Sequence, residues 1–207
     1  MKMVSAVAAL SLALVLRTAG WGGPRDASTT DVYKIAPESR AFFVVHAHNF
    51  AVPETVLGRQ GTVQGEIRWL KGAGPTLSGH VSIDADTLKT GNGARDKKML
   101  EILGAKAYPF IDFTITGVEP FSVADLDGAG VTVNAHGALQ VGGVEVPLSF
   151  GVFARREGGR RLRLHGLAHT GFKDLKLKSP GMSFITVISD AIAAGADIVA
   201  DRSVAAP

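Results

Sequence analysis

Residues Thr87 to Pro109, TLKTGNGARDKKMLEILGAKAYP, interrupt a one-for-one alternation of apolar and polar residues that continues on both sides. Alternation with period 2 marks a half-buried β-strand, so the insertion belongs to a sheet that resumes after it. Thr90-Gly91-Asn92-Gly93 offers a polar turn, with Asn92 placed to cap a helix over Ala94 to Leu103 whose apolar stripe is Met99, Leu100 and Leu103. Gly104 ends that helix. Tyr108-Pro109 then sets an extended entry into the next strand, because a residue before proline is disfavoured in the helical region. The helix is expected across one mouth of the sheet, with Arg95-Asp96 tying its start to the rim.

About eight strands follow from the same periodicity. Thr62 to Leu70 sends Val63, Gly65, Ile67 and Trp69 to one face; Leu77 to Asp86 sends in Val81, Ile83 and Ala85, leaving Asp84 and Asp86 as solvated carboxylates. Ile111, Phe113 and Ile115 form the next inner row, then Val131 to Val141, with Ala135, Gly137 and Leu139 inward. A hairpin at Gly142-Gly143 leads to Val144, Val146, Leu148, Phe150 and Val152. A second hairpin at Glu157 to Gly159 returns through Leu162 and Leu164, and Ile192 to Ala200 gives a weaker last strand. Arg40 to His48 carries apolar residues on both faces, with Phe42 and Val44 competing against Phe43 and Val45, so something must cover its second face.

Long strands, short hairpins and single apolar faces are best satisfied by closure, which removes exposed edges. The expected fold is therefore all-β: an eight-stranded antiparallel barrel with one short inserted helix. Eight strands enclose either a side-chain core or room for one small ligand. The small inner residues Gly65, Ala85, Ala135, Gly137 and Gly166 point equally to unfilled space and to bends in the barrel wall.

The N-terminus is of a different kind. Lys2, the apolar run Val4 to Leu16, Arg17 and the small residues up to Gly20 are expected to form a secretory signal over residues 1–20, with an uncleaved anchor as the alternative, the run being too short for an ordinary spanning helix. Trp21 to Asp31 is expected to be a flexible leader, and the domain to span residues 32–207. With no cysteine the protein forms no disulfide and carries no lipid-modifiable thiol, and a periplasmic address follows. Removing Lys2 and Arg17 leaves 20 basic against 19 acidic residues, too near neutrality for a nucleic-acid surface.

Beyond the folding pattern, the order Ile83-Asp84, Leu88, Thr90-Gly91-Asn92, Arg95-Asp96, Leu100, Tyr108-Pro109, Phe113 resembles the signature of the YceI-like family of exported, lipocalin-like barrel proteins. Tyr33-Lys34-Ile35 with Ser39, Val63-Gln64-Gly65, and Gly137 to Val144 with Pro147 extend the likeness from about Val32 to the C-terminus. Two positions depart from it. His169-Thr170-Gly171-Phe172-Lys173 keeps only the Phe of an Arg-x-Asp-Phe-Gly pattern, which removes an expected Arg-Asp contact, and Gln140 replaces an outward threonine. The resemblance implies a non-catalytic binding protein that encloses a polyisoprenoid or other long-chain lipid and needs no cofactor; dimers occur in the family. The ligand would lie among Phe43, Trp69, Val81, Ile83, Phe113, Leu139, Phe150 and Leu164, since a long apolar chain asks only for a dry sleeve.

Other chemistry is sparse. There is no cysteine nucleophile, no Gly-x-Ser-x-Gly elbow and no phosphate loop. His46 and His48 share a strand face at a spacing suited to a metal, without a third ligand nearby in sequence; His165 and His169 share an outer face. Arg155, Arg156, Arg160, Arg161 and Arg163, followed by Lys173, Lys176 and Lys178, form either a transient contact for anionic membrane headgroups or a solvated hairpin that discourages edge pairing. The alternative to a lipid carrier is a stress-response or interaction module with a filled barrel acting through its outer surface.

Overall fold

The computed structural model describes residues 30–49, 52–70, 76–180 and 186–203. Its strands are β1 (Thr30–Ile35), β2 (Arg40–Asn49), β3 (Val52–Leu70), β4 (Thr76–Asp84), β5 (Phe110–Val118), β6 (Val131–Val141), β7 (Val144–Glu157), β8 (Arg161–Gly171) and β9 (Thr186–Arg202). They pair antiparallel in the order β1-β3-β2-β9-β8-β7-β6-β5-β4, and pairing of β3 with β4 closes the sheet. Two helices, α1 (Gly93–Ile102) and α2 (Val123–Asp127), join them.

Nine strands make an eight-position barrel because β1 and β2 share one position end to end. β2 pairs with Val52 to Thr62 of β3 and with the first part of β9, whereas β1 pairs with Glu66 to Leu70 and with Ala200 to Arg202. At the joint, the buried Ser39 hydroxyl donates to the Val199 carbonyl at 3.1 Å and accepts from the Val199 amide at 3.0 Å. With the Ala36 amide donating to the same carbonyl at 2.8 Å, the serine satisfies the β9 backbone where neither strand reaches it.

The ordered wall begins earlier than the composition of the leader suggests. Thr30 and Asp31 belong to β1, and Asp31 is buried with its carboxylate on the Arg202 guanidinium at 2.5 Å. Residues 1–29, where the signal and most of the leader are expected, lie outside the described residues. β4 ends at Asp84 rather than Asp86: Ala85 to Thr87 turn as a 3-10 helix, and the Asp84 carboxylate caps it by accepting from the Asp86 amide at 3.0 Å. On β2 the inner residues are Ala41, Phe43, Val45 and Ala47; Phe42 lies outside and stacks on His165 with ring centroids 5.9 Å apart. An imidazole on the neighbouring wall therefore partly covers the second face.

The small inner residues divide between the two roles open to them. Gly65 has φ of 130°, and a Cβ there would lie 2.0 Å from the His80 carbonyl oxygen; at Gly137 a Cβ would lie 2.1 Å from that of Thr114. Both are close backbone approaches that bend the wall. Ala135 and Gly166 instead border empty space, since a Cβ on Gly166 would make only ordinary contacts.

Antiparallel pairing throughout puts connections alternately at the two barrel ends. One end carries α1, the β6–β7 turn at Gly142-Gly143 and the segment 172–180. The other carries α2 and the β7–β8 hairpin. The sequence reading contains one inserted helix; α2 is a second, capped by the Ser122 hydroxyl accepting from the Asp125 amide at 3.3 Å. Its Leu126 is 2% exposed and plugs that end, beside the buried Trp69 and Tyr33. Phe121 packs on Trp69 at 6.3 Å, and the Arg156 guanidinium lies 4.2 Å over the Trp69 ring, held by two 2.5 Å hydrogen bonds to Asp127.

Carboxylates held by such contacts predict the acid response. Hydrogen bonding from Arg156 holds the Asp127 carboxyl below its ordinary value, hydrogen bonding from Arg161 does the same for Asp201, and the Thr90 hydroxyl and amide lower Asp96. A depressed folded-state value contributes stability that is complete above the unfolded value of about 3.9 and is lost as pH falls through the lower folded value. Urea midpoints are therefore expected to be flat from neutrality to about pH 5 and to decline below about pH 4. Asp127→Asn should flatten part of that decline.

Candidate functional site

Between α1 and the plug the barrel is hollow. A cavity of about 630 Å³ runs from the α1 end down to Ile67, Ala154 and Ile198. Below that level Trp69, Tyr33, Leu162 and Ala200, each no more than 3% exposed, fill the section. The interior is therefore open for most of its length and packed at one end.

Seven of the eight residues expected to surround a ligand line this cavity: Phe43, Val81, Ile83, Phe113, Leu139, Phe150 and Leu164. Phe113 and Phe150 meet edge to face at 4.8 Å. Phe113 lies over Gly137, as Phe43 lies over Gly58, so each ring occupies the place of a missing side chain on the adjacent strand. Trp69 is the exception. Alternation puts it inward correctly, but at the height of the plug, where Arg156, Phe121 and Leu126 leave no empty space beside it.

Several lining residues escape the sequence reading. β9 supplies Ile188, Ile192, Ala194, Ala196 and Ile198, and the segment after β8 supplies Phe172 and Leu175. The alternation of Ile192, Ala194, Ala196 and Ile198 is a legible signal, weakened because alanine contributes little hydrophobic contrast. α2 also has one, Ser122-Val123-Ala124-Asp125, which fits a capping box.

α1 spans one mouth and turns Met99, Ile102 and Leu103 toward the cavity. Asn92 caps it as expected, its side-chain oxygen accepting from the amides of Ala94 and Arg95, both at 3.1 Å. Arg95 and Asp96 fasten it in different directions. Arg95 Nη2 reaches Glu54 Oε1 of β3 at 2.9 Å, while Asp96 accepts from the Thr90 amide at 2.8 Å and from its hydroxyl at 2.5 Å. No α1 residue is fully buried. The helix is thus held by its cap, these polar contacts and one apolar stripe; Asn92→Ala is expected to cost about 1 kcal/mol and to speed amide exchange in α1 before the barrel strands.

The polarity of the lining is uneven. Glu54, Thr90, Arg95 and Lys98 are its polar members among the described residues, and all four stand at the α1 mouth. Everything deeper is apolar. That asymmetry gives the cavity a polar entrance and a dry interior.

The basic cluster is not one surface. Arg156 pairs with Asp127, Arg161 with Asp201 at 2.7 Å and Glu38 at 3.6 Å, and Arg163 with Glu157 at 2.9 Å. These arginines occupy the plug end; Lys173, Lys176 and Lys178 stand at the α1 end. His46 and His48 are exposed, with His46 Nδ1 3.3 Å from the Thr55 hydroxyl, and the described residues contain no group of three or more ligands suited to a metal ion. His165 meets Asp197 at 2.7 Å on the outer wall.

Comparison with solved structures places this architecture. A polyisoprenoid-binding domain from Saccharophagus degradans implicated in plant cell wall breakdown is 19% identical, with a TM-score of 0.63 over 83% of this chain and 98% of that one. BcnA of Burkholderia cenocepacia is 16% identical with a TM-score of 0.60 over 78% and 95%, and the YceI protein of Campylobacter jejuni is 17% identical with 0.56 over 73% and 87%. Curated protein sequences gave no match. The YceI-like domain pattern matches residues 33–200, the whole of the closed barrel but its first and last few residues, and the chain belongs to the YceI-like family.

Proposed function

We propose that the protein binds a long apolar amphiphile, a polyisoprenoid or a related lipid, in the barrel interior and carries or sequesters it without catalysis in the periplasm. The observation that carries this reading is the cavity of about 630 Å³ in the barrel, apolar throughout except at the α1 mouth. Each methylene moved from water into it contributes about 0.8 kcal/mol, so affinity accumulates along the chain without specific polar partners. The polyisoprenoid-binding description of the Saccharophagus relative supports the same class of ligand.

A filled barrel acting only through its outer surface has lost its premise, since the interior is hollow above the plug. Export rests on the segment Lys2 to Gly20. Membrane contact during loading is proposed at the α1 end, where the exposed Lys173, Lys176 and Lys178 stand beside the cavity entrance.

The deciding experiment is native mass spectrometry on protein purified without detergent from a periplasmic fraction, followed by organic extraction. A co-purifying lipid of defined mass is the expected result. Protein that is empty and takes up neither prenyl nor acyl probes would overturn the reading.

A further inference from the structure

We propose that the barrel is loaded through its side: the wall parts between β7 and β8 in the α1 half, and residues 172–178 are a strap that closes this window. The proposal rests on the lipid-binding reading and adds an entry route to it.

The window follows from the ladders. β7 pairs with β6 from Ala154 to Val144, and β8 pairs with β9 as far as Gly171, but the ladder between β7 and β8 stops at Gly151↔Leu167. Continued in register, the next rungs would join Ser149 to His169 and Pro147 to Gly171; neither is made. The sequence contains the reason. The two-residue turn at Gly142-Gly143 makes Val141 and Val144 a hydrogen-bonded pair, so Val146 and Leu148 bond to β6 while Glu145, Pro147 and Ser149 turn their backbone polar groups toward β8. At Pro147 that side has no N–H to give, and proline within a sheet belongs at an edge. The first half of β7 is therefore an edge strand inside a ring.

The two faces of the wall agree with this. Outside, Pro147, Leu148, Ser149, His136 and His169 border a hollow that lies on the seam. Inside, Phe150, Gly166 and Phe172 border the cavity. Leu148 belongs to the inner row by alternation yet borders the outer hollow, which thus reaches into the wall between the strands.

The strap runs from the end of β8 to the β6–β7 turn, where a Cβ on Gly142 would lie 3.1 Å from the Leu177 side chain. Its hydrogen bonds are internal or run to its own side of the window. The Leu175 amide donates to the Gly171 carbonyl at 3.0 Å, the Leu177 amide to that of Phe172 at 2.8 Å and the Phe172 amide to that of Asp190 on β9 at 3.0 Å. Lys176 has φ of 54°, a left-handed position where such a turn usually carries glycine. Among the described residues no hydrogen bond ties the strap to β7, so it can swing out on its β9 side without breaking one. Moving α1 off the mouth would instead separate Arg95 from Glu54 of β3.

The chain has no cysteine, so Ser149→Cys combined with His169→Cys introduces a single disulfide across the first open rung. The readout is the rate at which a fluorescent fatty acid passes from phosphatidylglycerol vesicles to the lipid-stripped protein. In the oxidised double variant transfer should be slower by about tenfold, with unchanged affinity at equilibrium and recovery on reduction. An unchanged rate overturns the window. Leu177→Ala loosens the strap at the turn and should speed transfer; a folded variant with an unmoved or slower rate overturns the strap. If the disulfide does not form, amide exchange decides: Ser149 and His169 should exchange faster than Gly151 and Leu167, and equal protection overturns the window. Failure of the unaltered protein to take up the fatty acid at all overturns the lipid reading instead.

Discussion

Trp69→Ala is expected to lower the stability of the domain by about 3–5 kcal/mol, the range for truncating a large buried aromatic side chain. Trp69 is 1% exposed and joins three elements at the plug: Phe121 from the segment before α2, Arg156 from β7, and the β1 wall that faces β3. Removing the ring deletes the surface over which the Arg156 guanidinium lies, leaving that charge to Asp127 and the Tyr33 hydroxyl. The measurement is urea unfolding at neutral pH, where the midpoint should fall with an unchanged slope. A loss below about 1 kcal/mol would mean that the plug is not packed as described.

The second large effect is expected at Ala194. β9 stands four positions from β5 in the ring, so Ala194 faces the interior from the wall across from Phe113. A tryptophan there would occupy the channel part-way down and exclude the chain segment below it. Losing about five methylenes of burial corresponds to about 4 kcal/mol, a reduction in prenol affinity of about a thousandfold. The enlarged side chain enters existing space, so Ala194→Trp should change stability far less than Trp69→Ala does. Unaltered binding in a folded Ala194→Trp protein would place the lipid outside the barrel.

The wall was legible wherever a strand separates a wet face from a dry one. Val63, Ile67, Val81, Ile83 and Phe113 alternate with polar residues, and all fall inside. β1 broke that rule because its inner row begins with Asp31, whose counter-ion Arg202 lies 171 positions away. β9 was faint because its inner row contains Ala194 and Ala196, and those alanines are part of what leaves the barrel hollow. The ion pairs of the arginine cluster are hidden in the sequence for a similar reason. Asp127 comes from α2, Asp201 from β9 and Glu38 from the joint between β1 and β2, so the neutralising partners are distant in sequence and near only in the fold. Alternation also assigns a face but not a height, so it turns Trp69 inward without revealing that its neighbours are Phe121 and Arg156 of the plug.

The shared position of β1 and β2 has a consequence for the order of events. Both strands are held to the ring on one side by β9, which also supplies Ile188, Ile192, Ala194, Ala196 and Ile198 to the cavity wall. Until residues 186–202 have been synthesised, a growing chain has neither a closed ring nor a sealed container. On the proposed function, a lipid can therefore enter the interior only after the domain has been translated.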